Sequence, residues 1–278
     1  MTERMPLTRG RVLALIIGVP LVLAVIGWTA LTAGAFAGQG SYPVNLDVRA
    51  PGGTAGVSVD SADMTVVPGT AGHLRLTGTA HYSVVRSSVT WHRTRSGVTV
   101  DSRCRFPTGV CSADFTVAMP TGARALLSDG SGDMTLRGLT GYVSAGAGAG
   151  NITANGLSGT ADLESGSGDV RGTALSGPQV TLSSGSGNIS ISGLTSAHVV
   201  ASDGSGDVTL VFTKVPSYVH VKDASGNVTL ILPPGRTTLY QVHASTSSGN
   251  RVINVPNSSL SHRMITVTDG SGDISITN

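Results

Sequence analysis

The sequence predicts an all-β protein, a parallel β-solenoid or β-helix-like array of about 18–23 residues per rung, preceded by one N-terminal transmembrane helix. Three observations predict it. A Gly-Ser-Gly-Asp/Asn turn recurs eight times in the second half, apolar residues alternate with period two around every copy, and an uncharged apolar run lies near the N-terminus. The composition agrees. Glycine stands at 38 residues and charged residues at 12% of the chain. Ser, Thr, Val and Gly dominate after residue 40, which suits short strands joined by tight turns.

Residues 1–11 carry Arg4, Arg9 and Arg11 against Glu3 and read as a cytoplasmic N-terminus. Residues 12–36 are uncharged and apolar, long enough at 1.5 Å per residue to cross about 30 Å of hydrocarbon. Basic residues precede this segment and none follows until Arg49, so the positive-inside rule places the remainder outside the cell membrane. The competing reading is a cleaved signal peptide with Ala35-Phe36-Ala37 as its small-x-small site, which would make the body a secreted protein. Residues 37–44 form a linker, and 45–278 form one extracytoplasmic β domain.

Residues 38–278 hold fifteen basic and fifteen acidic side chains with only two lysines. Such a surface lacks the concentrated positive charge that nucleic acids require. Cys104 and Cys111 are the only cysteines. In an exported body they are expected to form a disulfide. Closing so short a loop would contribute about 2.5 kcal/mol on the chain-entropy view and pin one hairpin.

The turns place Asp133, Asn151, Asp169, Asn188, Asp207, Asn227, Asn250 and Asp273 at spacings of 18, 18, 19, 19, 20, 23 and 23 residues. Five residues before each turn stand Ala125, Val143, Ala161, Val180, Val199, Val219, Val242 and Ile265. Immediately after the Asp or Asn come Met134, Ile152, Val170, Ile189, Val208, Val228 and Ile274, with Arg251 the exception. This alternation assigns those columns to an interior and the residues between them to the surface. One such repeat buries too little to order itself, so the array is the cooperative unit. The Asx order predicts a parallel, in-register stack in which carboxylates are not neighbours. At the usual strand spacing of about 4.8 Å, two adjacent unit charges would repel by about 0.9 kcal/mol even in water. Residues 41–128 carry a weaker version, with Val57, Val59, Met64 and Val66 bracketing Ser61-Ala62-Asp63 like a degenerate rung.

These Ser-Gly-Ser-Gly-Asp/Asn-aliphatic-Thr/Ser-aliphatic units, with the Cys104 and Cys111 segment and the Val117-Ala118-Met119-Pro120 strand end, resemble the bacterial putative-adhesin β-strand-repeat domain, a toastrack-like family of unknown function. The resemblance covers roughly residues 45–278. It implies an anchored or envelope-linked β-solenoid that adheres or senses envelope stress, and it supplies no catalytic residues.

Other chemistries fit the sequence less well. Calcium-binding β-rolls repeat every nine residues, whereas here the period is about double, Asp follows Gly directly and Asn replaces half the carboxylates. Asp162 and Glu164 lie two apart on one outward face and are the only candidates for a glycosidase pair. His220 and His243 fall in one outward column and could share a metal, yet no third ligand accompanies them. No Gly-x-Ser-x-Gly and no phosphate loop occurs. The expectation is a non-enzymatic envelope protein with no cofactor or metal, binding a surface ligand or membrane protein. A β-helix enzyme acting on polysaccharide is the alternative. The chain is also expected to self-associate through its C-terminal edge, because no polar repeat follows Asp273 to cover the last rung.

Overall fold

The computed structural model describes residues 39–278 except 52, 84–86, 96, 104–110 and 236. The expected membrane segment, 12–36, and Cys104 lie outside the described residues. The chain opens with β1 (Gln39–Arg49), then β2 (Thr54–Val59) and β3 (Asp63–Pro68). Next come β4 (His73–Ser83) with β5 (Ser88–Arg93), and β6 (Gly97–Arg103) with β7 (Cys111–Met119). The repeats follow as pairs, β8 (Arg124–Asp129) with β9 (Met134–Arg137), β10 (Val143–Ala147) with β11 (Ile152–Asn155), and β12 (Ala161–Ser165) with β13 (Val170–Thr173). They continue through β14 (Gln179–Ser184) and β15 (Ile189–Leu194), β16 (His198–Asp203) and β17 (Val208–Phe212), and β18 (Tyr218–Asp223) and β19 (Val228–Ile231). The last are β20 (Gln241–Thr246) and β21 (Arg251–Asn254), then β22 (Met264–Asp269) and β23 (Ile274–Thr277).

The two strands of each pair enter different sheets. One sheet has twelve strands in the order β1-β4-β7-β3-β9-β11-β13-β15-β17-β19-β23-β21, the other eleven in the order β20-β22-β18-β16-β14-β12-β10-β8-β2-β6-β5. All neighbours from β3 and β2 to the C-terminal end pair in parallel, whereas β1, β4 and β5 add antiparallel strands at the other end. The expected all-β coil of stacked rungs is therefore what forms.

Alternation explains why. Val143, Ala161, Val180, Val199, Val219 and Ile265 occupy one register column and are buried. Met64, Met134, Ile152, Val170, Ile189, Val208, Val228 and Ile274 form the facing column, also buried. Leu139, Leu157, Leu175 and Leu194 close the corner opposite the turns. The core is thus a row of aliphatic side chains between two sheets, continuous along the stack. Glycine at the third turn position allows the rungs to touch. A β-carbon on Gly150 would lie 1.6 Å from the Gly132 carbonyl oxygen, so each turn's backbone rests on the one before it.

Chain order and spatial order part at both ends. The degenerate rung β2/β3 sits directly against the first regular rung, β8/β9, and the intervening β6/β7 stacks on its other side. β6 and β7 belong to different sheets, so these strands do not pair as the hairpin the sequence predicts. At the far end, β22/β23 inserts between β18/β19 and β20/β21. The Asp273 rung, expected to be last, is covered by the Asn250 rung. The C-terminal edge is β20 and β21, where Val252 and Ile253 are exposed. The anomalous Arg251 also finds its place here. It stands in the inward column of the terminal rung, and its Nη1 donates to the Ala244 carbonyl at 2.8 Å, bridging β21 to β20. An inward-facing charge at a sheet edge opposes the addition of further strands.

Candidate binding face

The turn residues form a continuous hydrogen-bonded ladder. Each Asx side-chain oxygen accepts the backbone N–H of the Asx one rung on, as in Asn151 to Asp133 (2.9 Å), Asp169 to Asn151 (2.9 Å) and Asn188 to Asp169 (2.7 Å). Asp207 to Asn188 and Asn227 to Asp207 continue it. The swapped rungs complete it, with Asp273 N–H donating to Asn227 at 3.1 Å and Asn250 N–H donating to Asp273 at 2.7 Å. In space the order is therefore Asp133, Asn151, Asp169, Asn188, Asp207, Asn227, Asp273, Asn250, an unbroken alternation. Every Asn also donates its side-chain amide to the carboxylate before it, at 3.0–3.3 Å. The Asn188 N–H above all, aided by Arg171, holds the Asp169 carboxyl below the usual carboxylate range despite partial burial. The one departure lies at the start, where Asp133 N–H donates to Asp63 and two carboxylates are neighbours.

These carboxylates and amides are committed to the stack, so the ladder is architecture. Among the described residues no group of three or more His, Cys, Asp or Glu is placed to hold a metal ion. His220 and His243 do not adjoin as their chain order predicts. His220 registers with Thr266, and Thr266 with His243, which puts β22 between them and about 9.6 Å of sheet across two strand spacings. Asp162 and Glu164 are exposed on the outward face of β12. Their lateral neighbours there are Ser144 and Thr181, and Gly146 and Ser183.

The outward face of the eleven-stranded sheet gathers its aromatic and apolar side chains elsewhere. Alternation buries Val219 and Val221 on β18 and turns Tyr218 and His220 outward. One register step places His198 beside Tyr218 on β16, and one step the other way places Met264 on β22. The Tyr218 ring lies 6.2 Å from the His198 ring and stacks on His220 at 6.5 Å. Met264 is 39% exposed, so the four side chains make a shallow aromatic and thioether platform on a flat, hydrogen-bonded sheet. Farther along the same column Arg124 covers Tyr142, its guanidinium 4.0 Å from the ring centre. The platform escapes a reading of consecutive repeats one at a time. The signal was present six residues before each turn, where Arg124, Tyr142, Thr160, Gln179, His198, Tyr218, Gln241 and Met264 recur.

A second concavity opens between the two sheets at the β1/β5 end, about 440 Å³ in volume and lined by Tyr42, Leu46, Val89 and Trp91. Tyr42 donates its hydroxyl to the Ser87 carbonyl at 2.8 Å, tying β1 to the segment before β5. Its floor is therefore part of the N-terminal closure of the coil.

A two-sheet parallel coil with an Asx ladder at one corner and flat outward faces defines a β-solenoid class of repeat protein. Residues 112–278 match the Toastrack DUF4097 family, and the chain belongs to that family. No curated protein matches the sequence. A crystal structure described as a putative cell adhesion protein from Clostridium sporogenes ATCC 15579 is similar at 13% identity, covering 85% of this chain and 99% of that one, with a TM-score of 0.30. At that score the likeness carries no weight beside the geometry.

Proposed function

We propose that the chain is a non-enzymatic, single-pass membrane protein. Its N-terminus is cytoplasmic, residues 12–36 span the membrane, and the β-coil outside binds an envelope or surface partner in adhesion or envelope sensing. A disulfide between Cys104 and Cys111 is part of this reading, as befits an oxidising compartment. The observation that carries the binding role is the Tyr218 platform with His198, His220 and Met264. Aromatic rings on a rigid sheet offer large contact area with little side-chain entropy to lose, and polar atoms at their edges.

The test is affinity capture from envelope extracts with immobilised residues 38–278, comparing the native body with Tyr218→Ala. Retention of a polymer or protein by the native body, weakened about tenfold in the variant, is the expected outcome and corresponds to about 1.4 kcal/mol. Equal retention by both would reject this face. Polysaccharide turnover abolished by Asp162→Asn would instead establish the enzymatic alternative.

A further inference from the structure

One residue before each turn lies a second column, running in space Asp129, Ala147, Ser165, Ser184, Asp203, Asp223, Asp269, Thr246. Its polar members other than Thr246 are buried, including four aspartates at 2–4% exposure. The hydroxyl members define what the site asks of its occupant. Ser165 Oγ donates to the Gly150 carbonyl of the preceding rung at 2.8 Å and accepts the Gly168 N–H at 2.9 Å. Ser184 does the same with Gly168 and Gly187, and Thr246 Oγ1 donates to the Gly272 carbonyl at 3.1 Å. Each position therefore supplies a donor to the rung beneath.

Three of the aspartates occupy this place with one oxygen served and one not, whereas Asp269 Oδ2 accepts the Thr246 hydroxyl at 3.4 Å. Oδ1 accepts the N–H two residues on, at 3.2 Å in Asp129, 3.4 Å in Asp203, 3.2 Å in Asp223 and 3.0 Å in Asp269. Oδ2 of Asp129, Asp203 and Asp223 is buried without a hydrogen-bond partner. A β-carbon on Gly226 would lie 3.0 Å from Asp223 Oδ2 and 1.9 Å from the Gly206 carbonyl oxygen, so acid and carbonyl crowd the same spot. At Gly206 the corresponding distances are 2.8 Å to Asp203 Oδ2 and 2.4 Å to the Gly187 carbonyl. Two acceptors gathered beside one glycine and shielded from water are reconciled by a proton on the acid.

We propose that Asp203 and Asp223 form an acid-stabilised spine: in its protonated form each Oδ2–H donates to the carbonyl of the preceding rung, and deprotonation at higher pH loosens the C-terminal third of the coil. The charges acting on the column are themselves carboxylates, which deepens the effect. Asp203 is faced by Asp207 and Asp169 from the turn ladder, and Asp223 by Asp203 and Asp269 from β16 and β22. Burial first, and these neighbours second, push Asp223 up to about 6 and Asp203 upward; Asp129, beside Asp63, is likewise raised to about 6. Because the folded state holds these protons more tightly than the unfolded chain, the added stability is complete below about pH 3.9 and is lost as pH rises through about 6. The column backs the strands that present Tyr218, but the inference stands without the binding role.

Thermal unfolding of the full chain in detergent at about pH 5 and about pH 8 tests it. The native protein is expected to melt several degrees higher at the lower pH. The variant D203S/D223S, which installs the hydroxyl already used at Ser165 and Ser184, is expected to exceed the native protein at about pH 8 and to lose most of the difference. A native protein that melts no higher in acid, or a variant that keeps the full difference, overturns the proposal. Should the variant not fold, infrared spectra of the native protein near pH 6 decide: a protonated-acid carbonyl band supports the spine, and its absence rejects it.

Discussion

Asn188 works in two directions at once. Its Oδ1 accepts the Asp207 N–H while its Nδ2 donates to Asp169 Oδ1 at 3.2 Å. An aspartate there could accept but not donate, and would sit between two carboxylates. Asp207→Asn is different, because it keeps an acceptor and removes a charge. The expected outcome is that Asn188→Asp lowers the melting temperature, more at low salt than at high salt, by an amount reflecting about 1–2 kcal/mol of lost hydrogen bonding and added repulsion. Asp207→Asn should cost less. Thermal melts at two ionic strengths check the pair, and a salt-independent loss in Asn188→Asp would remove repulsion from the explanation. The alternation was legible along the chain up to Asn227. Along the chain Asn227 is followed by Asn250, and the insertion of Asp273 between them depends on strand pairing across 46 residues, which no local pattern encodes. Tyr218 and the buried aspartates were overlooked for a related reason, since each gains its meaning from the residues one rung away.

At the scale of elements, periodicity of two fixed the strands and their faces from β8 onward, including the degenerate rung around Asp63. It could not fix the order in which rungs stack, because β2, β6 and β8 present similar aliphatic inner faces and only the connections distinguish them. The step from β6 to β7 is the clearest case. The connection from β6 to β7 passes from one sheet to the other, next to the rung that carries the first turn, and β7 pairs with both β3 and β4. A disulfide between Cys104 and Cys111 would tie β6 of one sheet to β7 of the other, and β7 is where parallel pairing with β3 gives way to antiparallel pairing with β4. Replacing both cysteines by serine is therefore expected to lower stability by about 2.5 kcal/mol. Reducing the native protein should reproduce the loss, and denaturant melts with and without reductant check both. An unaltered midpoint in either would show that the β6-to-β7 step is held by strand pairing alone.

The whole molecule behaves as a stack whose unit can be removed, provided the ladder's chemistry survives the cut. Deleting residues 152–169 takes out one period and brings Asn188 onto Asn151, two neutral neighbours. Deleting 170–188 also takes out one period, but it brings Asp207 onto Asp169. Both deletions rejoin equivalent backbone positions, keep the apolar columns in phase and shorten the coil by one strand spacing of about 4.8 Å. They differ in the ladder contact, and the second also removes Arg171, the ion-pair partner of the Asp169 it keeps. Both are expected to fold and to unfold in a single transition, since no rung is stable without its neighbours. The second should melt lower, with a deficit that shrinks as salt is added, because two carboxylates now share one step of the ladder and no asparagine amide lies between them. Circular dichroism melts of the two proteins at low and high salt make the comparison. If neither folds, the rungs are not interchangeable and the coil is a single irregular domain; if both fold with equal, salt-insensitive midpoints, the Asp/Asn order is incidental to the stack. A lower, salt-restored midpoint in the second alone ties the stability of the entire coil to the sign of charge at one residue per turn.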